Sequence, residues 1–341
     1  MERQNSRGRH VTILDVAEAA GVSKSTVSRI LDDRLPRSGS PNAQKVRRVA
    51  EELGYSRDVF ASGLRQGRTN TVGVIVPRLT DTAMAVFFEA ISRASDRRGR
   101  LAIVATTDHE PDGARRAVRN LVKRRVDGII FAADRHDDPA VTWMDESEVP
   151  FVLALRREGR GEAAVGDDVL GGYLATRHLL DLGHTTIALL TGPEFASNAR
   201  LRQQGFREAM EEQGAAIDPV LIKATDFTVD SAAEAVDEML DAGHGFSALF
   251  AATDNLAIGA MSALARRGLA VPDEVSVAGY NDIPLSAHLP IPLTSVRVPF
   301  EEIAANALEL LEEKLDQRGT RGEVKVSAPS LIPRGSTRRA F

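Results

Sequence analysis

Residues 12–31 spell two short helices folded about a single glycine, and this pattern says most about what the chain can be. Thr12 can cap the first helix, with Asp15 in its first turn. Val16, Ala17 and Ala20 share one apolar face. Gly21 supplies the bend. Ser23 then caps a second helix whose Val27, Ile30 and Leu31 turn inward while Lys24, Ser25 and Arg29 stay exposed. A helix-turn-helix of this kind lays its second helix in the DNA major groove. Spacing alone leaves an ordinary helical hairpin as the competing reading.

The next segment narrows the choice. Ser40-Pro41 is a helix start, a cap followed by proline at the first helical position, and this helix should run to Leu53 and stop at Gly54. Asp15-Val16-Ala17, Ala20-Gly21-Val22-Ser23, Thr26-Val27-Ser28-Arg29 and Glu52-Leu53-Gly54-Tyr55 stand in a telling order and spacing. In both respects the chain resembles the lactose/galactose repressor family of bacterial transcriptional regulators, over nearly its whole length. Charge agrees. Residues 1–68 hold 13 Lys/Arg against 8 Asp/Glu in a chain of net charge −5, so a basic head precedes an acidic body. Basic groups attract phosphates, and an acidic body stays off the polyanion.

From Thr71 onward, short β-branched runs alternate with amphipathic stretches. Strand candidates are Val72–Val76, Leu101–Ala105, Gly128–Ala132, Phe151–Leu155, Ile187–Thr191, Ala248–Ala251 and Val275–Gly279. Helices are predicted over Phe87–Arg98, Gly113–Arg124, Gly171–Asp181 and Ala199–Gln213. That alternation implies parallel sheets covered on both faces, with too many strands for one small sheet. The expected fold is an all-α helix-turn-helix head with a hinge helix, joined to an α/β sensor of two doubly wound parallel-sheet lobes.

The sensor resembles the periplasmic sugar-binding fold through Arg125-Val126-Asp127-Gly128, Leu182-Gly183-His184, Gly279-Tyr280-Asn281-Asp282 and Pro333-Arg334-Gly335. The resemblance implies a disordered arm over residues 1–10, the DNA-binding domain over 11–56, a hinge helix and linker over 57–69, and an effector-binding and dimerisation domain over 70–341. Three crossings should put residues 71–166 and 298–325 in lobe one, and 167–297 and 326–337 in lobe two. No further helix of tetramer-forming type is expected after the final strand.

At the DNA end, the resemblance implies that Lys24, Ser25 and Arg29 read base edges while Thr26 and Ser28 touch phosphates. Thr12, Ser23 and Tyr55 complete the head's contact set. In the hinge, Ala61 and Leu64 would sit in the minor groove, Leu64 as a wedge that kinks a flexible central step. Arg57-Asp58 replaces the family's usual Pro-Asn, and Gly63 lies inside the hinge helix at a cost of about 1 kcal/mol relative to alanine. A reader of palindromic double-stranded DNA must be a homodimer, one head per half-site.

The effector residues implied are Asp81, Phe87, Arg202, Phe227, Thr253, Asp254 and Asn281. Here the chain departs from its relatives. Thr253 and Asn281 replace an asparagine and an aspartate, Asp81-Thr82-Ala83-Met84 replaces Asn-Pro-Phe-Phe, and Leu155 and Val298 stand where an aspartate and a glutamine are usual. A sugar needs fixed partners for its hydroxyls. The small-molecule effector is therefore open among a sugar, a glycoside, a nucleoside-like compound, a less polar metabolite, or none, and a co-repressor stands beside an inducer.

Other classes fit poorly. No Gly-x-Gly-x-x-Gly follows the first strand and no Gly-x-Ser-x-Gly elbow exists, so no catalytic residues are assigned and an enzyme is not expected. A solute-binding protein would have no use for the head. Cysteine is absent, which excludes disulfides and fits a reducing, cytoplasmic setting. The seven histidines show no ligand spacing, so neither a metal nor a cofactor is expected. No apolar run is long enough for a membrane span, and no signal peptide is expected. The hinge is expected to fold only when two copies meet in the groove. Amides across residues 58–66 should then exchange rapidly in the DNA-free protein and gain protection with operator; protection without DNA would contradict this.

Overall fold

The computed structural model describes residues 11–31, 36–55, 68–108, 112–132, 138–157, 161–318 and 322–340. The arm expected over 1–10 and the hinge expectations for Ala61 and Leu64 lie outside the described residues. Two units divide between Thr69 and Asn70.

The first unit holds α1 (Ile13–Ala20), α2 (Lys24–Ile30) and α3 (Pro41–Glu52). Thr12 and Asp15 form a reciprocal capping box: Asp15 N–H donates to Thr12 Oγ1 (3.4 Å) and Thr12 N–H to Asp15 Oδ2 (2.7 Å). Gly21 takes φ 70°, which a side chain would resist, and so turns α1 into α2. Val16, Ala17, Ala20, Val27, Val46 and Ala50 close a small core, with Tyr55 half-buried against it. Gly54 at φ 66° ends α3 and lets the Tyr55 N–H reach the Ala50 carbonyl at 2.8 Å.

Among the described residues, the second unit contains two six-stranded sheets. The first carries β1 (Thr71–Val76), β2 (Leu101–Thr106), β3 (Gly128–Phe131), β4 (Phe151–Ala154), β5 (Ala163–Gly166) and β11 (Val324–Ser327) in the order β11-β5-β4-β3-β1-β2, all parallel. The second carries β6 (Ile187–Thr191), β7 (Ile222–Ala224), β8 (Ala248–Ala251), β9 (Ser276–Asn281), β10 (Thr294–Arg297) and β12 (Ser330–Ile332), in the order β12-β10-β9-β8-β6-β7. It is parallel apart from the antiparallel β10–β12 pair. Each order reverses beside one strand, β1 in the first sheet and β6 in the second. Chain leaving the carboxyl ends of those two strands forms the crevice where such sheets bind ligands.

Around the sheets lie α4 (Thr82–Asp96), α5 (Gly113–Lys123), α6 (Pro139–Glu146), α7 (Asp168–Asp181), α8 (Ser197–Glu212), α9 (Val229–Asp241), α10 (Asp254–Arg266) and α11 (Phe300–Leu315). The chain passes between lobes at Asp167, between Arg297 and Phe300, and between Ser327 and Ser330. The last passage falls slightly later than residue 325 because β11 continues to Ser327. Three predicted helices start too late: α8 begins at Ser197, two residues before Ala199, and two others miss by more. Asp81 caps α4 at Thr82, five residues before Phe87, and Asp167 caps α7 at Asp168, before the glycines that looked like a start.

Those glycines govern how lobe two packs. A methyl at Gly172 would stand 2.1 Å from the Arg202 carbonyl oxygen, and one at Gly205 would stand 2.0 Å from that of Val169. A methyl at Gly171 would stand 2.2 Å from the Tyr280 hydroxyl. Thus α7 and α8 touch backbone to backbone. Nearby, His184 Nε2 lies 3.0 Å from the Arg338 carbonyl, which can only accept, so Nε2 carries the proton and Nδ1 accepts from the Ser247 hydroxyl at 2.9 Å. Alanine favours a helix over glycine by about 1 kcal/mol, but forced overpacking costs roughly 1–3 kcal/mol. Gly172→Ala and Gly205→Ala should therefore both lower the chemical-denaturation midpoint, whereas Gly268→Ala, which faces open space at φ 74°, tests backbone strain alone.

Candidate functional site

Two groups of side chains are set out for contact, one in each unit. In the first, Ser23 Oγ accepts the Thr26 N–H (3.2 Å) and lies 2.9 Å from Ser25 Oγ and 2.8 Å from Thr26 Oγ1. Three hydroxyls thus gather at the amino end of α2, where the helix presents partial positive charge. Lys24 and Arg29 are exposed and have no protein partner among the described residues. Thr26 and Ser28 are half-buried beside them, while Thr12 caps α1 on the surface. Tyr55 serves the core of the head with its ring, and its backbone closes α3.

In the second unit, both switch points and both lobes line one cavity of about 20 Å³, room for little more than a single water. Asp81, Met84, Leu155, Arg156 and Phe300 come from lobe one; Asp168, Asn198, Arg202, Phe227, Thr253 and Asn281 come from lobe two. Arg202 donates from Nε to Asp168 Oδ1 (2.8 Å) and from Nη1 to the Ala252 carbonyl (2.6 Å), and its guanidinium lies 3.7 Å from the Tyr280 ring centre. The Tyr280 hydroxyl donates to the same Asp168 oxygen at 3.0 Å. Burial opposes the Arg202 charge, yet the Asp168 carboxylate and Tyr280 outweigh it and hold the guanidinium above its ordinary pKa.

Across the cleft, the Arg156 guanidinium stands 5.6 Å from the centre of the Phe227 ring, a contact between lobes. Phe227 itself adopts φ 67°, unusual for a bulky residue, and its ring covers Gly192, where a methyl would lie 2.0 Å away. Thr253 Oγ1 accepts the Leu256 N–H at 3.3 Å and caps α10. Asp81 Oδ1 caps α4 through the Ala83 N–H at 3.2 Å, and burial raises the pKa of its carboxyl despite Arg156, Arg202 and Arg78 nearby.

Two of the expected effector residues do not line this cavity. Phe87 is fully buried, 6.2 Å ring to ring from Phe300, and it is Phe300 that reaches the cavity wall. Asp254 is also fully buried and does not line the cavity, because its carboxylate is occupied by the protein. Oδ2 accepts the Ile283 N–H (2.8 Å) and the Ser286 hydroxyl (2.7 Å), and Oδ1 accepts the Ser295 hydroxyl (2.6 Å). It fastens the loop after β9. Sequence reasoning missed Asp168, Asn198, Arg156, Gly166 and Phe300 as lining residues. Asp168 and Asn198 carried a signal, since both lie in the first turn of a helix leaving a strand end. Arg156 carried none. Among the described residues, no cluster of acidic and histidine side chains could hold a metal, and no helix is long and apolar enough to cross a membrane.

Comparison with known proteins agrees with this geometry. Residues 12–58 match the model of bacterial regulatory proteins of the lacI family, and residues 176–337 match that of a periplasmic binding protein-like domain. The chain is 34% identical to the HTH-type transcriptional regulator DegA of Bacillus subtilis, over 96% of this chain and 98% of DegA. It is 30% identical to the ribose operon repressor of Escherichia coli, over 95% of this chain and 99% of that one. Among solved structures, the lac repressor dimer bound to operator and the anti-inducer ONPF superposes with a TM-score of 0.86 at 28% identity, covering 97% of this chain and 100% of that chain.

The Asp254 cage has a pH signature. Burial pushes its pKa up to about 6 against the pull of its three hydrogen bonds. The folded state therefore holds a proton that the unfolded state releases near pH 4, and this contribution to stability falls as pH rises between about 4 and 6, by up to roughly 3 kcal/mol. Asp254→Asn keeps an acceptor and cannot ionise. The stability of the native protein relative to Asp254→Asn should decline across that window in urea titrations; a flat difference would show the carboxylate titrating normally.

Proposed function

The chain belongs to the lacI family of bacterial regulatory proteins, and on that premise we propose that it represses transcription in the cytoplasm by binding a palindromic operator as a homodimer. It is a DNA-binding transcriptional regulator and not an enzyme. Support for the operator contact comes from one observation above all: Lys24 and Arg29 stand exposed on α2 without protein partners among the described residues, behind the Ser23 cap. Arg29 has the fork to pair with guanine O6 and N7, Lys24 can reach a guanine or a phosphate, and Thr26 and Ser28 fit phosphate contacts that fix register.

The cleft between the sensor lobes is the proposed effector site, and its lining supports this reading. Arg156 on Phe227 joins the lobes in the arrangement seen, and a cavity of about 20 Å³ admits no sugar-sized molecule until they part. Opening and closing are then the two states. An effector, a sugar or related metabolite, shifts their balance only through its differential affinity, and operator DNA must alter effector affinity by the same factor.

Selection of bound duplexes from a random pool tests the operator reading. The expected result is a palindrome with a flexible central step; a motif without two-fold symmetry would sink the dimeric reader. Arg29→Ala should relax selection at one base pair in each half-site by about 1–3 kcal/mol. Thr26→Val should weaken binding to all sequences alike.

A further inference from the structure

Charge is unevenly spread over the sensor. Residues 69–341 hold 30 Lys/Arg against 40 Asp/Glu, yet residues 113–126 hold six Lys/Arg and no carboxylate side chain. In a parallel sheet each crossover helix runs back and ends beside the amino ends of the strands. The end of α4 therefore delivers Arg97, Arg98 and Arg100 ahead of β2, and the end of α5 delivers Lys123, Arg124 and Arg125 ahead of β3. Both turns flank the start of β1. The Leu101 N–H donates to the Asn70 carbonyl at 2.9 Å, and the Asp127 N–H donates to that of Thr71 at 2.8 Å. Neighbouring strands lie about 4.8 Å apart, so three strand ends gather these cations along roughly 10 Å of rim.

The carboxylates among them are mostly occupied. Asp127 accepts from Arg100 Nη1 at 3.1 Å, and Glu312 of α11 takes Arg100 Nε at 3.1 Å and Arg98 Nε at 3.2 Å. Arg97 and Lys123 are exposed, and neither has a protein partner among the described residues. Arg124 is exposed as well and gives only Nη1 to the Asn120 carbonyl, at 3.1 Å. Asp96 is the exposed carboxylate beside them. The other half of the rim has the opposite sign. Glu148, Glu162 and Glu323 precede β4, β5 and β11, while Lys314 and Arg318 are paired with Glu162 and Asp316. Stability does not account for the sorting, since like charges gathered on a surface repel one another. The basic half is also the half that receives the chain from the head, because the first unit ends at Thr69 and β1 begins at Thr71. A duplex held by the head is thereby tethered to this end of lobe one, and tethering makes even a weak second contact intramolecular.

We propose that this rim of lobe one, through Arg97, Lys123 and Arg124, is a second DNA surface that takes backbone phosphates of the duplex bound by the head. The inference rests on the reading of the head as the operator-binding part. Phosphate contacts of this kind read no sequence. They add affinity and salt dependence common to all sequences, and they give the sensor a grip on DNA that does not pass through the linker.

Fluorescence anisotropy of the full-length protein on a labelled mixed-sequence duplex several helical turns long, across a potassium chloride series, tests it. One variant combines Arg97→Gln, Lys123→Gln and Arg124→Gln. A control combines Arg207→Gln, Lys223→Gln and Arg339→Gln, which removes the same charge from lobe two. Each phosphate contact contributes about 0.9 to the slope of log affinity against log salt. The first variant should flatten that slope by about 1–3 per protomer and weaken low-salt binding about tenfold or more, with the control matching the native protein. Arg97→Lys with Arg124→Lys keeps the charge and should bind as the native protein does. Melting of each variant reports that it folds. An unchanged slope in the first variant, or an equal loss in the control, overturns the rim as a DNA surface while leaving the head as the operator reader. A native protein that binds neither this duplex nor any selected palindrome overturns the operator reading itself.

Discussion

The sensor hangs on the backbone contact between α7 and α8. Two helices can approach this closely only where neither has a side chain, and Gly172 and Gly205 remove the obstacle reciprocally. Everything at the heart of lobe two follows from that approach. It brings Asp168 at the start of one helix to Arg202 on the other, and Gly171 leaves the space in which the Tyr280 hydroxyl meets them. A buried ion pair costs several kcal/mol in lost hydration, and good geometry with further hydrogen bonds is what repays it. Here the Ala252 carbonyl and the Tyr280 ring supply that geometry, so Arg202 is fixed before any ligand arrives. A fixed donor loses little freedom on binding, and that favours affinity.

The second organising feature is the repetition of one topology. Each sheet reverses its strand order at its own switch point, and the two switch points contribute Asp81 and Asn198 to the same cavity. Three chain passages join the lobes, so their relative motion is confined to bending about those strands, the hinge type of rearrangement. The head has a simpler logic. Its small core is closed by alanine and valine at helical spacing, and its polar side chains are left over for contact.

Much of this was legible in the sequence, and the failures have physical causes. The caps at Thr12, Ser23 and Ser40 and the stop at Gly54 were readable because capping depends on a few adjacent residues. Strands β1 and β6 were readable because both faces are buried and the run is apolar throughout. Strands β5, β7, β10, β11 and β12 escaped because each is only three or four residues long and none is apolar and buried throughout. Gly171 and Gly172 read as a helix boundary because their need arises from distant residues, Tyr280 and Arg202. In the cleft, motif position picked out Arg202, which lines the cavity, and Asp254, which does not. A motif records which residue stands at a place, and the structure shows that this carboxylate is saturated by Ile283, Ser286 and Ser295. Arg156 was invisible to motif reasoning because its importance comes from a ring in the other lobe.

The threading of the chain between lobes also sets an order of events during synthesis. Helices α1 to α3 and the Tyr55 that closes their core are complete once Tyr55 has left the ribosome, and that core draws on no later residue among those described. Lobe one must wait for almost the whole protein, because α11 packs against α4 and carries Phe300, and β11 pairs with β5. Domains emerge amino end first during translation. A nascent chain therefore displays a finished DNA-reading head for most of its synthesis while its sensor is still an open sheet. Interrupted translation would release fragments able to present that surface but unable to be regulated. With β11 and β12 following α11 in the chain, both lobes are completed later than the head.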